Sequence, residues 1–285
     1  MRQLPAYECH IDSRTNRVRL TRVFVEGELQ SGSVVELPRE TGAHLAKVLR
    51  ARSGDEIVLF NGDGREFTGA VEKVQGSRVS ASIGAARIID RESPFRLTLV
   101  QCVPRGDRMD FIVQKATELG VVRIIPVLSR RSVVRLDENQ AASKQAHWRS
   151  VAVSACEQCG RNRLPSVTAP QPLLNYLGAL GRPAGDEGLR LVLEPEPARR
   201  TGHAARSMDI TSLQAMSRAE IAIGPEGGFA PEELEAFDLS AFSRVALGPR
   251  VLRTETAAIA SVVILQTRFG DMSAVSDNPS RSADS

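Results

Sequence analysis

The sequence predicts an α/β protein of two domains: a small β-rich unit followed by a larger unit built on a parallel sheet. Three observations carry this. The chain has 285 residues, more than one core of ordinary size needs. Its hydrophobic rhythm changes at the polar segment Asp90-Arg-Glu-Ser-Pro94, from short strand-like runs to alternating strands and helices. Finally, three apolar β-branched runs stop abruptly, at Glu194-Pro195, Gly224-Pro225 and Gly248-Pro249. Such stops put bare backbone at the carboxyl edge of a parallel sheet, where α/β proteins bind ligands.

Before the boundary, strand-like segments fall at 23–25, 34–37, 56–60, 67–71 and 78–83. Asn61-Gly-Asp-Gly64 is a hairpin signal, and Leu45, Val48 and Leu49 mark a short amphipathic helix over 39–50. Strands this short and numerous predict a small barrel, placed at 1–88. After the boundary a strand at 97–103 precedes a helix over 107–120, whose apolar face is Met109, Ile112, Val113, Ala116 and Leu119 and whose stop is Gly120. Strands follow at 124–128, 189–193, 221–223 and 245–247, and helices near 138–158, 172–180, 231–237 and 254–269. That alternation predicts a parallel α/β domain at 95–270. The polar tail, 271–285, has no apolar pattern and reads as disordered.

Net charge is only +3, but from Leu99 to Pro165 eleven basic residues face six acidic ones, and nearly every cation in the chain is arginine. Guanidinium groups suit phosphates and stacked bases, although a compositional bias toward arginine would look the same. Of the four cysteines, Cys156-Glu-Gln-Cys159 has zinc or redox spacing. No second pair exists to complete a zinc site, and the motif ends a helical pattern instead of opening one. Reduced thiols are the expectation. His10, His44, His147 and His203 are scattered, so neither a metal cluster nor a Ser-His-Asp order is present. No apolar run has membrane length and no signal segment is legible, so a cytoplasmic protein is expected.

Each Gly-Pro loop taken singly is an ordinary strand-to-helix turn; three at one edge favour a shared pocket. Gly224-Pro-Glu-Gly227 fits a type I turn, with Gly228 free to take positive φ. Pro231 opens a helix, and Thr254 is placed to cap the last one. Neither the dinucleotide fingerprint nor a phosphate loop occurs. Backbone amides and apolar walls without a phosphate cradle suit a nucleoside that carries no phosphate, such as S-adenosylmethionine.

Ile223-Gly-Pro-Glu-Gly-Gly228 followed by Leu247-Gly-Pro-Arg-Val-Leu-Arg-Thr-Glu-Thr256 resembles the 16S rRNA uridine-N3 methyltransferase family of the SPOUT class. Asp110-Phe-Ile-Val-Gln-Lys-Ala-Thr-Glu-Leu-Gly120, Ala155-Cys-Glu-Gln-Cys-Gly-Arg-Asn-Arg-Leu-Pro165, and His44 through Arg50 with Gly54-Asp55 add to the resemblance. It runs from about Arg22 to Gly270 and leaves 1–20, 183–216 and the tail unmatched. It implies a PUA-like β-barrel that helps hold RNA, then a SPOUT-type parallel sheet with a carboxyl-terminal trefoil knot. It further implies a homodimer acting on the 16S rRNA of the small ribosomal subunit, with S-adenosylmethionine and without metal. Neither knot nor dimer follows from periodicity.

Carried residue by residue, the resemblance places the cofactor on Leu193 and Glu194, on Ile223, Gly224, Pro225, Glu226, Gly227 and Gly228, and on Leu247, Gly248, Arg250 and Leu252. It continues through Arg253, Thr254, Glu255, Thr256 and Ala257. Methylating an imide nitrogen requires loss of its proton and stabilisation of charge on the two flanking carbonyl oxygens. Arg253 is the candidate for the second role. Glu255 is the candidate base, or else a first-turn acid that stabilises its helix. Arg22, Arg50, Lys115, Arg130, Arg131, Arg161 and Arg163 are candidate RNA contacts, although Lys115 is also spaced to pair with Glu118 on a helix. Two alternatives stand: a SPOUT enzyme acting on another nucleotide, and an RNA-binding assembly factor without catalysis.

Overall fold

The computed structural model describes residues 20–180, 188–194 and 216–272. Beyond Met272 the expected tail lies outside these residues, as do Pro195, Cys9, His10 and His203. The chain forms two compact units. Among the described residues the first comprises 20–25, Leu29–Leu59 and Phe67–Ala86; the second comprises Glu26–Glu28, Phe60–Glu66 and those from Arg87 to Met272.

The first unit is built from β1 (Thr21–Phe24), β2 (Val34–Glu36), α1 (Arg39–Lys47), β3 (Glu56–Phe60), β4 (Arg65–Gln75) and β5 (Arg78–Ile88). These strands form one sheet in the order β1-β3-β4-β5-β2. Alternation along β5 buries Val79, Ala81 and Ile83, which close a core with Leu37, Leu45, Leu59 and Phe67. Helix α1 stops three residues before the expected Arg50, which sits in the left-handed region at φ 53°.

The second unit alternates strands and helices, as expected. Its elements are β6 (Arg96–Cys102), α2 (Arg108–Glu118), β7 (Arg123–Leu128), α3 (Glu138–Cys159), β8 (Ser166–Val167), β9 (Gln171–Pro172) and α4 (Leu173–Ala179). There follow β10 (Leu189–Leu193), β11 (Arg218–Ile223), α5 (Pro231–Leu239), β12 (Ser243–Val245) and α6 (Thr254–Phe269). The sheet order is β12-β10-β11-β6-β7-β8, with β9 also on β7, and these pairs are parallel. Helices cover both faces, which is why the strands read as near-continuous apolar runs. One face packs Leu97, Leu99, Ile124, Leu191 and Ile221 with apolar residues of α2, α3 and α6. The other packs Val100, Ile125, Val192 and Ala222 against Leu173 and Leu177 of α4 and Phe237 of α5.

Local signals set the helix ends. Asp137 accepts from the Gln140 amide while the Gln140 side chain accepts from the Asp137 amide, a capping box that starts α3. Gly160, at φ 92°, ends it. After β12, at one sheet edge, the chain passes residues 246–253 before α6 packs on β6, β11 and α2. That return brings its last loop to the carboxyl ends of β10 and β11.

Candidate active site

Three loops from three strand ends enclose a pocket of about 330 Å³, within the size range of small-molecule sites. Leu193 and Glu194 come from the end of β10, and Ile223 to Phe229 from the end of β11. The return loop adds Leu247, Gly248, Arg250, Val251 and Leu252, and α6 adds Thr254 and Ala257. Of the seventeen residues expected at a cofactor, Arg253, Glu255 and Thr256 do not line this pocket; Arg131, Phe229, Leu234 and Val251 do, without having been expected there.

Two details differ from the sequence expectation. The tight turn is Pro225–Gly228, closed by the Gly228 amide donating to the Pro225 carbonyl at 2.9 Å, one residue later than read. Gly228 takes φ 67°, a conformation that side chains with a Cβ resist. Thr254 does not cap α6, because Arg253 occupies the N-cap position. Instead the Thr254 hydroxyl donates to the Gly224 carbonyl at 2.8 Å and accepts from the Gln101 side-chain amide at 3.0 Å. Gln101 is fully buried on β6, so this chain of bonds ties both Gly-Pro loops to the sheet centre. A Cβ on Gly224 would stand 3.2 Å from the Phe229 ring, so the glycine gives the loop its close seat.

Arg253 is exposed beside the pocket. The Glu255 side chain is 18% exposed, and its Oε2 is buried with no hydrogen-bond partner. Its Oε1 lies 3.9 Å from Nε of Arg108, whose Nη1 also binds Glu226. Arg108 thus bridges a carboxylate of the pocket loop and one of α6 from the first residue of α2. A cation at a helix N-terminus opposes the helix dipole. That misplacement was the available signal for its role.

A sequence profile of the RNA methyltransferase domain matches residues 91–266. The chain belongs to that family. A profile of the RNA methyltransferase PUA domain matches residues 37–84. The Bacillus subtilis protein named ribosomal RNA small subunit methyltransferase E is 31% identical over 84% of this chain and 93% of its own length. The crystal structure of a ribosomal RNA small subunit methyltransferase E from Neisseria gonorrhoeae bound to S-adenosyl methionine superposes with TM-score 0.77. It is 34% identical over 89% of this chain and 100% of that one. A Legionella pneumophila protein in complex with bound cofactor SAM gives 0.78 at 36% identity, over 89% and 100% of the two chains. The fold that the resemblance implies, a parallel α/β domain behind a PUA-like unit, is therefore the fold of this RNA methyltransferase.

The structure sorts the candidate RNA contacts by burial. Arg161 is only 4% exposed. Its guanidinium donates to the Thr117 and Val121 carbonyls at 2.8 and 3.0 Å and to the Glu92 carboxylate at 3.1 Å. A group so enclosed cannot meet a phosphate, and Arg161 instead binds the end of α2 to the loop after α3. Lys115 pairs with Glu118 at 2.9 Å. Arg130 pairs with Glu232, and its amide donates to the buried Glu233 at 2.8 Å. Arg131 holds the glycine loop through a 3.0 Å bond to the Gly227 carbonyl. Arg163 and Arg50 are exposed and Arg22 is half-buried.

The thiols of Cys156 and Cys159 lie together at the end of α3. Cys156 Sγ donates to the Arg163 carbonyl at 3.6 Å, and the adjacent Cys156 thiol, with the Arg161 amide and charge, lowers Cys159 to about 6 against the effect of burial. The proximity of Cys159, with desolvation, pushes Cys156 up. Among the described residues no group of three or more His, Cys, Asp or Glu could hold a metal, and no helix is long and apolar enough to cross a membrane.

Proposed function

We propose that this RNA methyltransferase uses S-adenosylmethionine to methylate N3 of a specific uridine in the 16S rRNA of the small ribosomal subunit. The observation that carries this reading is the pocket at the three strand ends, lined by Gly224 to Gly228 and by Leu247, Gly248, Arg250, Val251 and Leu252. Its chemistry fits the cofactor. Leu193, Ile223, Leu247 and Ala257 offer apolar walls to a purine. The glycine loops leave backbone amides bare, and the Glu194 and Glu226 carboxylates suit ribose hydroxyls and a cationic sulfonium or amino group. When bound, S-adenosylmethionine supplies an electrophilic methyl group. The relatives crystallised with that cofactor support the assignment.

The chain's own residues then have to accept a proton and stabilise charge. The Glu255 carboxylate, still 18% exposed and 3.9 Å from Arg108 through Oε1, is the group assigned to take the proton from uridine N3. Arg253, exposed at the start of α6, is placed to hold the negative charge that spreads over the two flanking carbonyl oxygens. Arg108 positions Glu255 and Glu226. A buried carboxylate oxygen kept without a donor costs stability; that cost favours an enzyme over an assembly factor with a vestigial pocket. The domain reading goes with it: 1–88 helps hold RNA, 95–270 binds the cofactor, the return through 246–253 forms the trefoil knot, and two copies act as a homodimer.

Mass spectrometry of nucleosides from small-subunit rRNA incubated with the protein and cofactor tests the proposal, with calorimetry for the cofactor itself. The expected product is 3-methyluridine. Another methylated nucleoside would assign a different target. Heat on titration without any methylated product would leave only an RNA-binding factor.

A further inference from the structure

The turn after β7, Ser129-Arg130-Arg131-Ser132, presents two arginines to solvent from a buried base. Ser129 and Ser132 are both buried. The Ser132 amide donates to the Ser129 carbonyl at 3.1 Å, and the Ser132 hydroxyl accepts from the Ser129 amide at 3.2 Å. Between them the Arg130 amide donates to Oε1 of the buried Glu233 at 2.8 Å. The other oxygen of that carboxylate accepts from the Ala230 amide, also at 2.8 Å. Glu233 therefore fastens this turn to the start of α5, and Arg131 reaches the glycine loop from a fixed backbone.

Nη1 of Arg131 donates to the Gly227 carbonyl at 3.0 Å, and the residue lines the pocket at the carboxyl ends of the strands. Its stem lies close to the loop: a Cβ on Gly227 would stand 3.5 Å from the Arg131 Cβ. The loop 224–230 is thus held at three points, by Thr254 at the Gly224 carbonyl, by Arg131 at the Gly227 carbonyl and by Glu233 at the Ala230 amide. Thr254 and Glu233 are buried. Arg131 is exposed. A guanidinium carries five N–H donors and a carbonyl is neutral, so Arg131 serves Gly227 and still offers a charged edge to solvent. Its neighbour Arg130 is instead paired with Glu232.

We propose that Arg131 is a positioning residue that links the two substrates: one N–H holds the lip of the cofactor pocket while the remaining donors take a phosphate of the rRNA backbone. The inference rests on the reading that S-adenosylmethionine occupies this pocket and that RNA is methylated. The planar fork matches phosphate oxygens. Without RNA, an exposed arginine gives up rotamer freedom to keep its bond to Gly227. A phosphate on the outer edge of the same guanidinium offsets that loss, and the loop stays where the cofactor needs it. Such a coupling is reciprocal, so each ligand tightens the other.

The test is calorimetric titration of S-adenosylmethionine into the full chain, with and without a saturating small-subunit rRNA fragment, for the parent, R131Q, R131K and R130Q. The salt dependence of RNA binding is measured alongside. In the parent, RNA should tighten the cofactor about fivefold or more, and the cofactor should tighten RNA by the same factor. R131Q should lose that coupling, and its slope of log affinity against log salt should be shallower by roughly 0.7–0.9, the share of one phosphate contact. R131K, which keeps the charge without the planar fork, should keep most of the slope and lose most of the coupling. R130Q leaves the Arg130 amide on Glu233 and should keep the parent's coupling. Thermal unfolding establishes that these variants of exposed residues fold. Coupling that persists in folded R131Q, a slope that does not change, or an absence of coupling in the parent overturns the linkage. A parent that methylates uridine without coupling leaves the functional reading standing. A parent that gives neither a methylated nucleoside nor heat with S-adenosylmethionine overturns both.

Discussion

Two arginines show how burial decides what a guanidinium does. Arg161, enclosed and bonded to two carbonyls and Glu92, acts as framework. Replacing it by alanine strands a largely buried carboxylate and two carbonyls, and should cost about 3–5 kcal/mol; denaturant unfolding checks this, and the salt slope of RNA binding should not move. Arg253 is exposed at the start of its helix. Arg253→Ala should change stability by no more than about 0.5 kcal/mol and leave S-adenosylmethionine affinity nearly intact while turnover collapses, measured as methyl incorporation. A third residue-scale expectation concerns Cys159. With its thiol lowered to about 6 and that of Cys156 raised, alkylation of Cys159 should rise from pH 5 and level off above about 7. Below that range the thiol is protonated and slow. Cys156 should stay unmodified, which peptide mapping would reveal.

At the scale of elements, the end of β10 and the loops after β11 and β12 line the pocket, and the shape of the β11 loop depends on few positions. Gly228, at φ 67°, closes the turn whose Gly227 carbonyl is held by Arg131. Gly228→Ala should cost about 1–2 kcal/mol in backbone strain and weaken the cofactor about tenfold in calorimetry, because the turn would relax away from its left-handed residue. Elements with strong local signals were legible to the residue: β10 at 189–193 and α6 at 254–269. Strands β8 and β9 were not, since two-residue bridges carry no periodicity. The turn register was misread by one residue because Pro225 suits more than one turn position, and the choice fell to the bond between Gly228 and the Pro225 carbonyl.

For the whole molecule, the return through 246–253 joins the edge strand to a helix packed at the sheet centre, so the pocket is completed only when the domain is fully folded. Cofactor binding should therefore be linked to global stability of the second unit. A hundredfold excess over the dissociation constant should add about 2.7 kcal/mol, seen as a rise in Tm. Hydrogen-exchange protection should concentrate at 223–228 and 247–253. Protection confined to the first unit would place the cofactor elsewhere. The carboxyl ends of the strands carry the glycine-lined pocket, and their amino ends carry a row of arginines.

By itself the amino-acid order determined the alternation of strands and helices, the three loops that stop at proline, and a nucleoside-type ligand without a phosphate cradle. Each is a local property, written in periodicity and turn chemistry within a dozen residues. Only the tertiary structure decided that Arg108 meets Glu226 across 118 residues and that Arg161 is sealed in the interior. Those outcomes depend on sheet register and on crossovers between distant segments, and no local pattern encodes which partner a strand will lie beside.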